Sequence, residues 1–358
     1  MQGSLQYFRW SFIVTGLGLV LAAWLGWYFT GTLAGLLSYF LVALVLAVLE
    51  ISLSFDNAIV NANKLRDMRP EWQRRFLTWG ILIAVFGMRI VFPLLIVVIA
   101  AKIGPWEAVV LAASQPDEYA RYIEEAHVSI SAFGGAFLMM VGLNYFMDEA
   151  KDVDWIRAIE KALRSVSSIR GIQVGIVLAV ILSIVQFLPA EDASVFLYAA
   201  CLGLMTFLGV EVLSHFLDRA DSVASLAAKG GLGAFLYLEV LDASFSFDGV
   251  IGAFALTKNL FLIAIGLGIG AMYVRSMTIM VVERKTLSEF RYLEHGAFWS
   301  ILVLSVIMFA QSLWHIHEAI TGLLGAALIG ASFLSSVIYR RKSAEDPSPE
   351  KATAQAEA

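Results

Sequence analysis

Apolar runs about twenty residues long follow one another along almost the whole chain, separated by polar loops. A bilayer core of about 30 Å is crossed by roughly 20 residues of helix, and backbone inside lipid has to satisfy its own N–H and C=O groups. The pattern predicts an all-α fold, a polytopic transmembrane helix bundle of about ten spans. They fall at 11–30, 34–61, 77–101, 128–147, 171–189, 194–216, 232–256, 260–282, 297–314 and 318–339. The first is longer than a signal-peptide core of about 7–15 residues and has only Arg9 before it, so it is read as a helix. Of 358 residues, 59% are hydrophobic and 15% charged, too few charges to cover a water-facing surface when soluble domains carry roughly 25%. A net charge of −5 disfavours nucleic acid as a partner. Cys201, the single cysteine, can form neither an internal disulfide nor a thiolate cluster and reads as a packing residue.

Lys and Arg in short loops resist translocation and so set orientation. Lys64, Arg66, Arg69, Arg74 and Arg75 follow the second span, and Lys151, Arg157, Lys161, Arg164 and Arg170 follow the fourth. These loops are expected on the cytoplasmic side, with both termini, while the acidic 102–127 segment faces away. Within 148–170, Trp155, Ile159, Leu163 and Val166 recur at helical spacing, which suits either an amphipathic helix on the inner leaflet or an ordinary connecting helix. The tail from Ser343 reads as disordered. The expected organisation is 1–33, an N-terminal segment and first helix; 34–147, a first repeat; 148–231, the linker and intervening helices; 232–339, a second repeat; and 340–358, the tail.

The division into repeats rests on a near-identity. Glu50-Ile-Ser52-Leu-Ser54-Phe-Asp56-Asn57-Ala-Ile is echoed by Asp242-Ala-Ser244-Phe-Ser246-Phe-Asp248-Gly249-Val-Ile. An arginine, Arg89 or Arg275, recurs in the helix after each copy, and Tyr122-Ile-Glu124 is matched by Tyr292-Leu-Glu294. The copies sit on the second and seventh spans, five helices apart, so they cross the membrane in opposite directions. Such inverted-topology repeats are common in secondary transporters, with the site near the midplane where the repeats meet. One shared site, approached from the two sides by Asp56 and Asp248, is expected.

A charge at a helix centre costs about 2.5–3.5 kcal/mol. Glu50, Asp56, Glu239, Asp242 and Asp248 together would cost on the order of 12–17 kcal/mol unpaired, as much as a whole domain's stability. Against Arg89 and Arg275 they leave a formal charge of −3, to be met by a divalent cation plus a proton, or by protonation alone. The expected metal-handling residues are Glu50, Asp56, Asn57, Glu239, Asp242 and Asp248. Ser52, Ser54, Ser244 and Ser246 support them, and the arginines serve as structural counter-ions. Hard oxygen donors favour manganese, calcium or magnesium; zinc and copper would want thiolate or several histidines. Glu50 and Asp56 do not share a face of a straight helix, so joint use needs local unwinding or successive sites.

Other polar residues read as structural: Glu211 and His215 as an interfacial pair, Glu191-Asp192 as a helix start, Asn144 and Gln186 as interhelical glue, Gly134-Gly135 as close packing, and His315 and His317 as exposed.

The first acidic motif resembles the signature of TerC-type integral membrane proteins, named for tellurite resistance. The second copy, Arg275, Tyr292-Leu-Glu294-His295-Gly-Ala and Gly134-Gly-Ala-Phe-Leu-Met-Met resemble its DUF475 branch. The resemblance covers roughly 40–310 and implies membership of a LysE-like transporter group whose related families handle manganese or calcium efflux. It places ion handling on Glu50, Asp56, Asn57, Asp242 and Asp248. The expected activity is secondary transport of a divalent cation, manganese first, by alternating access with protons as a plausible counter-flux. It would operate in the bacterial inner (plasma) membrane, with lipid and metal ions as partners and a homo-oligomer left open. The alternative is a non-transporting scaffold of a tellurite or stress-resistance complex. No nucleotide-binding motif is present, and no enzyme activity is expected, since the H-E-x-x-H zinc pattern is missing.

Overall fold

The computed structural model describes residues 5–345, apart from 81–82, 84–86, 88–90, 150, 223–230, 258, 285, 315 and 317. Among these residues every regular element is a helix. Helices α1 (Arg9–Thr30) and α2 (Leu33–Leu53) form a hairpin. Gly31 turns the chain there at φ 63°, a region that favours glycine, and Thr32 Oγ1 accepts the Gly35 N–H to cap α2. Helix α3 (Phe55–Arg66) follows across Ser54, then α4 (Pro70–Arg75), a π-helical turn at Phe76–Gly80, and α5 (Phe92–Ala101). The acidic segment forms α6 (Pro105–Ser114) and α7 (Pro116–Glu125), each started by a proline, and leads into α8 (His127–Phe146). The remaining helices are α9 (Arg157–Ser165), α10 (Ile172–Val185), α11 (Ala190–Ser222), α12 (Leu232–Leu256), α13 (Leu260–Glu283), α14 (Thr286–Glu289), α15 (Leu293–Gln311) and α16 (Glu318–Glu345).

Among the described residues seven helices are long and apolar enough to cross a membrane, and they match seven of the expected spans. The other three differ in form. The fifth span is α10, whose 14 residues reach about 21 Å at 1.5 Å per residue. The seventh is α12, 25 residues carrying Glu239, Asp242 and Asp248. The third carries π-helical backbone at Phe76–Gly80 and again at Ile83, Gly87 and Val91, and ends as the ten-residue α5, whose first turn holds Pro93.

Two expectations outside the spans need correction. Helix α16 runs through Glu345, past the expected start of disorder at Ser343, because Ala344 and Glu345 are good helix formers; residues 346–358 lie outside the described residues. The linker helix shortens to Arg157–Ser165 and buries a glutamate beside its expected apolar face. Ile159 is exposed while Glu160 is fully buried, with Leu163 and Val166 packed on the main core. The donors around Glu160 explain its burial: Lys151 Nζ at 2.6 Å, the Trp155 and Ile156 N–H groups, and Trp299 Nε1 at 3.0 Å.

The repeats are related as the motif copies require. Helices α8 and α15 follow the paired Tyr-x-Glu segments and pack against each other. Gly134 meets Met308, Gly142 meets Leu302, and Tyr145 stacks on Phe298 with ring centroids 3.7 Å apart. Residue numbers rise on one helix as they fall on the other, so the pair is antiparallel. The motif helices behave alike: Asn61 of α3 bonds Asp242 of α12, while Glu50 of α2 lies against Gly249. Corresponding elements running in opposite directions are what an inverted repeat demands. The main apolar core lies around α8, α11 and α15, centred on Phe137, Phe146, Phe207 and Phe309.

Glycines set the approach of α13 to α2. A Cβ on Gly270 would collide with the Cβ and Cγ of Glu50, atoms too near the backbone to swing away, and one on Gly266 would collide with Leu46. Gly270→Val should therefore push the two helices apart and lower stability by about 1–3 kcal/mol, the usual cost of overpacking. Thermal unfolding in detergent measures this, and an unshifted midpoint would count against the packing.

Candidate functional site

The break between α2 and α3 falls inside the first acidic motif. At Ser54 the backbone leaves helical geometry (φ −101°, ψ 15°), and its hydroxyl donates to Glu50 Oε1 at 3.0 Å. Two residues on, Asp56 Oδ1 accepts the Asn57 N–H at 2.9 Å, a local cap at the start of α3. This irregularity is what lets Glu50 and Asp56, on different faces of a straight helix, both point inward. Glu50, Asp56, Asn57, Asn61, Glu239 and Asp242 are all buried, between 2% and 7% exposed.

They occupy successive positions. The Glu50 carboxylate lies between Gly249 of α12 and Gly270 of α13; a Cβ on Gly249 would be 2.6 Å from Oε2. Asp56 Oδ2 accepts the Ser300 hydroxyl of α15 at 2.8 Å, and Gly325 of α16 closes over that contact. Asp242 Oδ1 accepts Asn61 Nδ2 at 2.9 Å across the α3–α12 interface. Glu239, three residues before Asp242 and so on the same helix face, presses against Gly80 at the end of the π-helical turn. Such turns often mark functional sites. Among the described residues, Glu239 Oε1 and Oε2, Asn57 Oδ1 and Asn61 Oδ1 are buried with no hydrogen-bond donor. Acceptor oxygens of this kind are costly to leave unsatisfied, and a hard cation or protons would satisfy them.

Several expected participants stand elsewhere. Arg275 donates from Nε to the Leu77 carbonyl at 3.0 Å, and among the described residues no ion pair joins it to a carboxylate. It ties α13 to the π-helical turn. Arg89 lies outside the described residues, as do the side chains of Ser52, Ser244, Ser246, Asp248 and His215, and both His315 and His317. Among the described residues no three His, Cys, Asp or Glu side chains converge into one metal cluster. The described carboxylates Glu50, Asp56, Glu239 and Asp242 stand at successive positions, while the side chain of Asp248, expected in the shared site, lies outside the described residues. Asn144 and Gln186 are exposed rather than interhelical, whereas Gly134 and Gly135 do pack closely on α15 and Glu191-Asp192 do open α11.

Asn61 and Ser300 escaped sequence reading. Asn61 follows Asn57 by one helical turn, a spacing that could have flagged it, whereas nothing near Ser300 marks it. Beside Ser300 on α15, Trp299 holds Glu160 of the linker, so consecutive residues of one helix touch the site and the linker.

No curated protein and no solved structure matches this chain. The family described as "Protein of unknown function (DUF475)" matches residues 55–343, which takes in α3, the second motif copy, Arg275 and both antiparallel helix pairs. With most of its length covered, the chain belongs to the DUF475 family.

Proposed function

We propose that this protein is a secondary transporter for divalent metal cations, manganese first, with calcium or magnesium as the nearest alternatives. The observation that carries the reading is Glu239: a carboxylate buried within a membrane bundle, with neither oxygen hydrogen-bonded among the described residues, three residues from Asp242. Ionisable groups in such places are costly and function by default in ion or proton pathways. The donors around it are carboxylate, amide and hydroxyl oxygens, the set that suits manganese, calcium or magnesium. Successive acidic positions along two antiparallel motif helices fit a path in which the cation is handed on as the repeats rock, with carboxylate protonation as the counter-flux. The TerC-like and LysE-like resemblance of the motifs points to the same cargo, exported across the bacterial inner membrane with both termini cytoplasmic.

The test is manganese flux into liposomes that contain only the purified protein and a manganese-quenched dye. Saturable quenching above protein-free liposomes is expected. Flux equal to the blank for manganese, calcium and magnesium would overturn the transporter and favour a non-transporting scaffold in a stress-resistance complex.

A further inference from the structure

The two motif copies diverge at particular places, and one divergence lies at the contact between their helices. Aligning Glu50 with Asp242 sets Asn57 against Gly249 and Asn61 against Ala253, while Glu239 of the second copy is matched by Ala47 of the first. The first copy thus supplies amides where the second has small residues, and the second supplies an acid where the first has alanine. Helices α3 and α12 meet at one of these places, through the Asn61–Asp242 hydrogen bond, and Glu239 lies three residues from that contact.

We propose that Asn61 is a direct ligand of the transported cation, and that the binding face is Asn61 on α3 opposite Asp242 on α12, with Glu239 beside Asp242. The proposal rests on the transporter reading and goes beyond it by naming a residue outside both motifs and a charge count. Asn61 is 2% exposed. Its Nδ2 is committed to Asp242, which fixes the amide's orientation: the flipped form would set one oxygen against another at 2.9 Å. Its Oδ1 therefore stays beside the carboxylate, without a donor among the described residues. A cation at this contact satisfies the Asn61 oxygen and meets Asp242, with Glu239 three residues along the same face of α12. Two carboxylates and one neutral amide carry a charge of −2, which a divalent ion cancels and a monovalent ion does not. Asn61 thereby both aims Asp242 and completes the ligand set.

Equilibrium binding of manganese to the full chain in detergent tests this, with unfolding temperature recorded without metal. Asn61→Leu keeps the side chain's size and is expected to weaken manganese binding by roughly 10–100-fold, the range for disturbing a metal's ligand environment. Asn61→Asp restores an oxygen ligand and is expected to retain binding, with affinity rising more steeply with pH because one more carboxylate competes with protons. Wild-type affinity in a folded Asn61→Leu, while Glu239→Gln loses binding, would overturn the role of Asn61 and leave the transporter standing. If Asn61→Leu fails to fold, Asn61→Asp decides: a stable protein without manganese binding overturns the proposal. Absence of manganese binding and flux in the wild type would instead remove the transporter reading itself.

Discussion

Replacing Glu160 with alanine is expected to destabilise the protein by about 3–5 kcal/mol, the range for breaking a buried ion pair from one side. Glu160 is fully buried in the linker, outside the membrane spans, and its carboxylate gathers Lys151, two backbone N–H groups and the Trp299 indole. The alanine variant strands the Lys151 ammonium, 9% exposed between Glu160 and the rings of Tyr145 and Phe146. It also orphans the Trp155, Ile156 and Trp299 donors. The neighbouring Arg164–Asp154 pair at 2.6 Å and the Trp155–Ser335 hydrogen bond at 3.1 Å keep the linker close, so the loss should appear as a lower unfolding temperature rather than a detached segment.

The pair also sets a pH dependence. Burial by itself would raise the Glu160 carboxyl, but the hydrogen bonds from Lys151, Ile156 and Trp299 outweigh it and hold the group below its ordinary 4.5. Lys151 is lowered because its own burial outweighs the attraction of Glu160, so the favourable part of the pair resides in the carboxylate. A depressed acid contributes stability above its unfolded value and loses it as the pH falls through the folded one. The wild type should therefore lose stability below pH 4.5, and Glu160→Ala should show a shallower acid decline over the same window. Equal acid slopes, or a loss under about 1 kcal/mol in the variant, would mean the buried pair is not holding the linker.

Hydropathy alone made most of the bundle legible, because a helix is the one way for an isolated segment to satisfy its backbone in lipid. The duplicated motif made the antiparallel relation legible, since an odd separation in helices reverses direction. What stayed hidden was set by tertiary partners. Glu160 reads as part of a polar linker face until Trp299, 139 residues away, is known to reach it. Arg275 reads as a counter-ion because it recurs in the helix that follows the acidic motif, yet it finds the Leu77 carbonyl of a π-helical turn that no pattern of apolar residues announces. Asn61 sits outside both motif copies, and only its contact with Asp242 separates it from an ordinary helix amide. The acidic residues themselves were visible as costly charges, but their distribution into successive positions depends on the irregular backbone at Ser54.

Glu239→Gln is expected to reduce manganese flux at least about 100-fold while leaving the protein as stable as the wild type or more so. The size of the loss follows from deleting a charged ligand, at or beyond the 10–100-fold cost of disturbing a metal's surroundings. The sign of the stability change follows from burial: a carboxylate at membrane depth costs about 2.5–3.5 kcal/mol, and glutamine keeps its shape without the charge. No donor is orphaned by the change, since neither oxygen of Glu239 accepts a hydrogen bond among the described residues. Asp242→Asn makes the contrast. It weakens the acceptor of the Asn61 amide, so it should lose flux to a similar degree but gain less stability, or none. A structural carboxylate would behave in the opposite way, since neutralising it would leave its partner uncompensated and cost about 3–5 kcal/mol. Unfolding temperature in detergent, recorded beside flux in proteoliposomes on the same preparations, separates the cases. Stable, inactive Glu239→Gln keeps this acid on the ion path, whereas an unstable variant whose folded fraction still carries manganese would remove Glu239 from it.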